Sequence, residues 1–281
     1  MKILLTGREG QVGWELQRSL AALGDVVATN RHELDLRDST AIRRTVREAR
    51  PDIIVNAAAY TAVDNAESEP DIAMQVNAIA PGILAEEAKR LGALLVHYST
   101  DYVFDGSKKS PYKEEDAPNP LSVYGRTKLE GEQAIAASKC RYLIFRTSWV
   151  YGSRGRNFLL TILKAAREKP ELRVVDDQFG APTSSAAIAE ATAHALRGGG
   201  PEGLYHMSAS GRTTWFNFAQ AILHKAAIAT PVVPIRSDQY PAEAKRPRNS
   251  VLDNARLKQA FGVSLPGWES QLEQVMGQVL R

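Results

Sequence analysis

Cysteine is almost missing from this chain of 281 residues: Cys140 stands alone. That excludes an intrachain disulfide and a cysteine-rich metal site, and it suits a reducing compartment. Long apolar runs are missing too. No stretch approaches the roughly 18 uninterrupted apolar residues of a membrane helix, and the start, Lys2-Ile-Leu-Leu-Thr6 followed by Gly7, lacks the apolar region of a signal peptide. The sequence thus predicts a cytoplasmic protein with no membrane partner. There is no excess of one charge sign: 35 Lys and Arg stand against 32 Asp and Glu, leaving +3. This balance argues against a nucleic-acid partner, while a local basic patch for a smaller phosphate ligand stays compatible with it. Internal repeats and low-complexity tracts are not found, which disfavours solenoids and propellers. What is there, 44% hydrophobic and 24% charged residues, is the composition of a globular protein with one large domain or two smaller ones.

The first half alternates short apolar, β-branched runs with amphipathic stretches. Ile3 to Thr6, Val26 to Thr29, Asp52 to Asn56, Leu94 to Ser99 and Tyr142 to Arg146 read as buried strands. Val12, Leu16, Leu20 and Leu23 recur at near helical period and are closed by Gly24. A second helix is expected from a cap at Asp38 or Ser39 to about Ala49, and a third over 71–91 with a kink or break at Pro81. Strands alternating with helices predict a doubly wound parallel α/β sheet of Rossmann type. After about Tyr151 the helical patterns 158–168, 185–196 and 215–227 are linked by Pro- and Gly-rich segments. The expectation is a dinucleotide-binding domain over 1–152 and a smaller C-terminal, mainly substrate-binding domain over 153–281, with the run 172–175 a candidate to return to the first sheet.

Chemistry concentrates in a few segments. Gly7, Gly10 and Gly13 follow the first strand at once and open the first helix, at the spacing Gly-x-x-Gly-x-x-Gly. Such glycines let the chain turn sharply and let a pyrophosphate approach bare main chain at a helix N-terminus, with Gln11 and Val12 supplying amides. The second strand ends in Asn30 and Arg31 where many NAD-binding folds carry an acidic residue. A basic residue there can face the 2′-phosphate of NADPH, or it is a solvated surface arginine, so NADPH is favoured with NADH also open. Asp35 and Leu36 could meet the adenine amine and ring. The small residues after the third strand, Ala58 and Ala59 with Tyr60 and Thr61, are a second wall of the cofactor site or simply tight packing. Tyr124 and Lys128, four apart, share a helix face. An ammonium beside a phenol favours the phenolate, which makes the tyrosine a usable acid or base. Thr100, at the end of the fourth strand, can bond the same substrate oxygen.

These segments resemble the extended short-chain dehydrogenase/reductase family over nearly the whole chain. The resemblance rests on Gly7 to Gly13, Asn56 to Asp64, Ser99 to Asp105, Tyr124 to Lys128, Phe145 to Gly152, Asp177 to Thr183 and Arg246 to Asn249; the last three segments mark a subfamily of sugar-nucleotide reductases. It implies NADPH-dependent reduction of the C4 ketone of dTDP-4-dehydro-L-rhamnose to dTDP-L-rhamnose, for cell-surface rhamnose supply. Tyr124 would donate the proton, Lys128 would hold the nicotinamide ribose and tune Tyr124, and Thr100 would assist. Asp101 and Trp149 would lie against the sugar, with Asn157, Gln178 and Arg246 as nucleotide contacts. Related 4,6-dehydratases follow the threonine with Asp-Glu; here Asp101 is followed by Tyr102, and dehydration lacks its base. A 4-epimerase and a non-catalytic NADP-binding regulatory subunit are the alternatives. Some members are dimers bridged by Mg2+ through carboxylates. Glu15 and Glu269 stand in comparable contexts, but the third position falls near Ala186, so no metal is assigned and a homodimer stays open.

Overall fold

Five parallel strands, β1 (Lys2–Thr6), β2 (Asp25–Thr29), β3 (Ile53–Asn56), β4 (Leu94–Thr100) and β5 (Arg141–Thr147), form the central sheet in the computed structural model, which describes residues 1–280. Gly203–His206 adds a sixth strand beside β5, giving the order Gly203–His206, β5, β4, β3, β1, β2. The strands are nearly continuous apolar runs because both faces are covered. Alternation sends Ile3 and Leu5 to one face and Leu4 to the other. The first pair meets Leu16 and Leu20 of α1 (Gln11–Ala21) and Ile188 and Ala191 of the helix Ser185–Gly198. Leu4 meets Ile42 and Val46 of α2 (Ser39–Ala49), with Leu84 and Ile135 in the same cluster. The strand order reverses between β1 and β3, where open α/β sheets hold their ligands beyond the carboxyl ends of the strands.

Pro81 is accommodated without a break. The chain is helical from Pro70 to Leu91, with a π-helical turn over Gln75–Ile79 just before the proline. Single π turns of this kind occur inside α-helices. The Asn77 carbonyl, four residues before Pro81, faces the Cα of Gly131, where a Cβ would come within 2.1 Å of it.

The run Leu172–Val175 does not return to the first sheet. It pairs in parallel with Val232–Ile235 and belongs to a second core around Tyr151, Leu159, Leu163, Phe218, Trp268 and Leu272. The strand that does return is Gly203–His206, and the helix Ala255–Phe261 follows it there through Leu257. A four-residue apolar run cannot specify which sheet edge it joins; the connecting helices decide that.

Candidate active site

The crevice is built first from glycines. Gly7 sits at φ +75°, and a Cβ on it would come within 2.8 Å of Ala58 Cα; a Cβ on Gly13 would come within 2.1 Å of the Gly7 carbonyl oxygen. Only hydrogen fits at these contacts. Gly10 caps α1 without a side-chain hydrogen bond, and no acidic residue stands in its first turn. By contrast α2 and the helices starting at Val123, Phe158, Ser185 and Trp215 are each capped by a side chain: Asp38, Ser122, Asn157, Ser184 and Thr214. The amides of Gln11, Val12 and Gly13 are therefore left to an outside acceptor. A dinucleotide pyrophosphate fits this cradle.

At the far end of the crevice a second arginine, Arg8, joins Arg31 at the end of β2. Arg31 is exposed and has no hydrogen bond or ion pair among the described residues. Arg8, inside the glycine motif, donates Nη1 to the Ala28 carbonyl and Nη2 to Glu33 at 2.9 Å, which lays its guanidinium over the end of β2. Its place between Gly7 and Gly10 was the signal that could have found it. Asn30 accepts from the amides of His32 and Glu33 and donates to Glu9. Asp35 is bonded to Arg37, which holds its carboxyl below the usual range despite partial burial. Leu36 is buried among Leu34, Ile42 and Val46.

The wall after β3 depends on a residue no motif singled out. Asn77 accepts from the Tyr60 amide (2.9 Å) and donates to the Tyr60 carbonyl (3.0 Å) and to Thr127 Oγ1 (3.2 Å). It thereby ties the strip Ala58, Ala59, Tyr60 and Thr61 to the helix that carries Tyr124. The Tyr60 phenol donates to Glu69, and that bond, with some burial, pushes it up to about 12.

Thr100 ends β4, and the helix Val123–Ser138 begins beside it, capped by Ser122 accepting from the Gly125 amide. A Cβ at Gly125 would come within 2.2 Å of the Tyr102 carbonyl oxygen, so this helix start is pressed against the turn Asp101–Val103. Tyr124 and Thr100 become neighbours in consequence. Burial raises the Tyr124 phenol, the Thr100 hydrogen bond lowers it, the Asp101 charge raises it, and it stands at about 12. The expected lowering by Lys128 is not seen. Lys128 points its Nζ at the Tyr98 carbonyl (2.6 Å) and lies 3.3 Å from His97 Nε2. Only 2% exposed, Lys128 is pulled down to about 8 by burial, against the opposing pull of Glu132. Burial likewise pushes Asp101 up to about 7, although bonds from Ser250 and Thr100 resist it. Tyr102 meets Tyr124 edge-on with centroids 5.8 Å apart.

Beyond Thr100 lies the second half of the chain. Trp149 holds φ +47°, a strained value for a bulky residue, and its indole stacks on Trp215 at 3.5 Å and against Gly180. Gln178, buried, donates to Ser237. Asn157 donates to Gln11 Oε1, linking its loop to the glycine motif. Arg246 is gripped by Asp64 through two bonds of 2.7 and 3.0 Å. Of the candidate bridging carboxylates, Glu15 pairs with Arg18, and Glu269 lies in the first turn of the helix Trp268–Val279. Among the described residues no group of three or more His, Cys, Asp or Glu could hold a metal ion within one chain, and no helix is long and apolar enough to cross a membrane.

Comparison with known proteins places the whole chain in one family. The family model described as RmlD substrate binding domain matches residues 1–281. The chain is 51% identical to a dTDP-4-dehydrorhamnose reductase of Burkholderia thailandensis over 95% of each chain. A crystal structure of such a reductase from Clostridium acetobutylicum superposes with a TM-score of 0.96 at 38% identity, covering 100% of both chains. One from Bacillus anthracis, in complex with NADP, superposes with a TM-score of 0.93 at 36% identity, covering 99% of both. With a glycine cradle at the switch point, the Thr, Tyr and Lys set beyond it and relatives matched end to end, the chain belongs to the dTDP-4-dehydrorhamnose reductase family.

Proposed function

We propose that this enzyme reduces the C4 ketone of dTDP-4-dehydro-L-rhamnose to dTDP-L-rhamnose with NADPH. The observation that carries the reading is the hydrogen bond that joins Thr100, at the end of β4, to Tyr124, on the helix of Lys128, in a fold whose α1 starts with an uncapped glycine turn. When bound, the dinucleotide supplies the hydride. The chain's own residues do the rest. The α1 amides hold the pyrophosphate, and the strip 58–61 supports the nicotinamide half. Tyr124, protonated throughout the neutral range, gives its proton to the oxygen at C4, and Thr100 holds the same oxygen. Lys128, held on the Tyr98 carbonyl, would bind the nicotinamide ribose and supply positive charge behind Tyr124 as the phenolate forms. Asp101, Trp149, Asn157, Gln178 and Arg246 bind the sugar nucleotide, so that residues 1–152 mainly hold the cofactor and 153–281 mainly the substrate. The buried thiol of Cys140 supports a cytoplasmic site of action.

The test is a coupled assay with dTDP-4-dehydro-6-deoxyglucose, its 3,5-epimerase and NADPH. Oxidation of NADPH with formation of dTDP-rhamnose is expected. No oxidation despite measurable NADPH binding would abandon the reductase for the regulatory-subunit reading.

Two further expectations follow from the site. Replacing Arg8 by Ser should weaken NADPH by about 1 to 3 kcal/mol, the usual cost of losing a charged hydrogen bond, and leave NADH nearly unchanged. Replacing Arg31 by Asp should move the NADPH to NADH ratio less. Equal losses for both cofactors in the Arg8 variant would remove Arg8 from 2′-phosphate recognition. The second concerns pH. Lys128 is charged below about 8 and neutral above it, so turnover should fall as pH rises through about 8. Stability should move the other way: an unfolded lysine keeps its proton to the ordinary 10.5, so folding releases a proton between about 8 and 10.5 and stability rises with pH across that window. A turnover profile flat to pH 10 would contradict the assignment.

A further inference from the structure

A chain of four buried polar side chains runs from Lys128 across the sheet, through β4, to the carboxyl ends of β3 and β1. Lys128 Nζ lies 3.3 Å from His97 Nε2. His97 Nδ1 lies 3.1 Å from Asn56 Nδ2, and Asn56 Oδ1 accepts the Thr6 hydroxyl proton at 2.7 Å. Thr6, Asn56, His97 and Lys128 are each 2% exposed or less. An unpaired polar group at such depth is costly.

The direction of each bond follows from its neighbours. With Thr6 donating to Oδ1, Asn56 turns its amide N–H towards His97 Nδ1. That nitrogen must then carry the lone pair, so the imidazole proton sits on Nε2 and points at Lys128. An N–H pointing at Nζ makes a hydrogen bond only if Lys128 is a neutral amine. If Lys128 is an ammonium, one of its protons goes to the Tyr98 carbonyl and the one that faces His97 needs a second acceptor, which the opposite arrangement supplies: the His97 proton moves to Nδ1, Asn56 turns over to accept it, and the Asn56 amide donates to Thr6. The two patterns differ by one proton on Lys128.

We propose, on the footing of the reductase reading, that His97 is a positioning residue for the reaction: by exchanging tautomers it gives Lys128 a second hydrogen-bond partner, beside the Tyr98 carbonyl, in both protonation states, and as an acceptor it holds the ammonium to higher pH behind Tyr124. His97 stays neutral in both patterns. Burial, with the Lys128 charge adding to it, holds the imidazolium far below the usual histidine range. The other charged groups around Lys128 do not exchange roles in this way. Glu132, one turn along the same helix, is locked to Arg146 of β5, and the nearest titratable groups on the crevice side are Tyr124 and, from the end of β4, Asp101.

The first test needs no substrate. The protein is labelled with 15N-histidine and its ring nitrogens are followed from pH 6 to pH 10; there are five histidines, and the signals missing from a His97→Leu sample identify this one. His97 should change from the Nδ1–H to the Nε2–H tautomer, without becoming an imidazolium, at the pH where turnover falls. A single tautomer throughout, or a charged ring, overturns the proposal. The second test is the pH profile of turnover. His97→Leu leaves the ammonium only the Tyr98 carbonyl and should lower the alkaline midpoint by about one unit, a roughly tenfold loss of rate above it, while KM for NADPH holds. His97→Gln keeps an amide that can turn either way and should restore the midpoint. Equal loss in both variants at every pH would mean a merely structural role and would also overturn it. If the tautomer changes but NADPH is never oxidised, the failure belongs to the reductase reading and not to His97.

Discussion

Replacing Tyr124 by Phe should lower NADPH oxidation by about 100-fold or more, the scale lost with a general acid, while NADPH affinity stays within about twofold. The phenol is the group that Thr100 and the end of β4 are arranged around, and its proton is held up to about 12 by burial. A donor of that kind is charged with its proton at every working pH, so its loss should lower turnover uniformly from pH 6 to pH 8. Removal of the hydroxyl leaves the glycine cradle and the Asn77 brace untouched, which is why cofactor affinity should survive. Titration of NADPH fluorescence beside steady-state rates separates the two quantities. Wild-type turnover in the variant would move the proton source to Asp101, the neighbouring carboxyl that burial pushes up to about 7.

Replacing Glu132 by Ala should cost about 3 to 5 kcal/mol of stability, because it leaves the Arg146 guanidinium buried without its counter-ion. The pair is bidentate, with bonds of 2.6 and 2.9 Å, and its side chains are 4% and 5% exposed. Arg146 has no other acid to turn to: it lies over the Phe104 ring at 5.1 Å, and its Nη1 already has no partner among the described residues. For a chain of this size the loss corresponds to a fall in Tm of roughly 6 to 20 °C. The double replacement Glu132→Leu with Arg146→Met should regain most of it, since an apolar pair of similar volume needs no compensation. A single variant within about 1 kcal/mol of wild type would show that water reaches Arg146 after all. Glu132 also supports the charge on Lys128, so the alkaline limb of the rate should move to lower pH in both variants.

Much of the scaffold was legible before any coordinates. The expected strands and the helices 158–168 and 185–196 lie within a residue or two of the observed elements, because apolar period and cap chemistry act over a few residues. Asp38, named as a cap, does accept from the Ala41 amide. The candidate site was legible where a motif is local, as with Gly7 to Gly13 and Tyr124 to Lys128. Arg8, Asn77 and His97 escaped because each acts across the fold: Arg8 reaches β2, Asn77 joins Tyr60 to Thr127, and His97 joins Asn56 to Lys128. The Tyr124 phenol was misjudged for the same reason. Helical spacing put Lys128 on its face, but a hydrogen bond to the Tyr98 carbonyl turned the ammonium elsewhere.

By itself the sequence determined the alternation of strands and helices, the open glycine turn after β1 and the family of the chain, since these depend on residue type and short spacing. Only the tertiary structure decided that Gly203–His206 and not Leu172–Val175 completes the main sheet, that Arg246 is held by Asp64, and that Lys128 lies against His97 of β4. Those outcomes depend on pairings between residues 31 to 182 positions apart, and on burial, which no local pattern specifies.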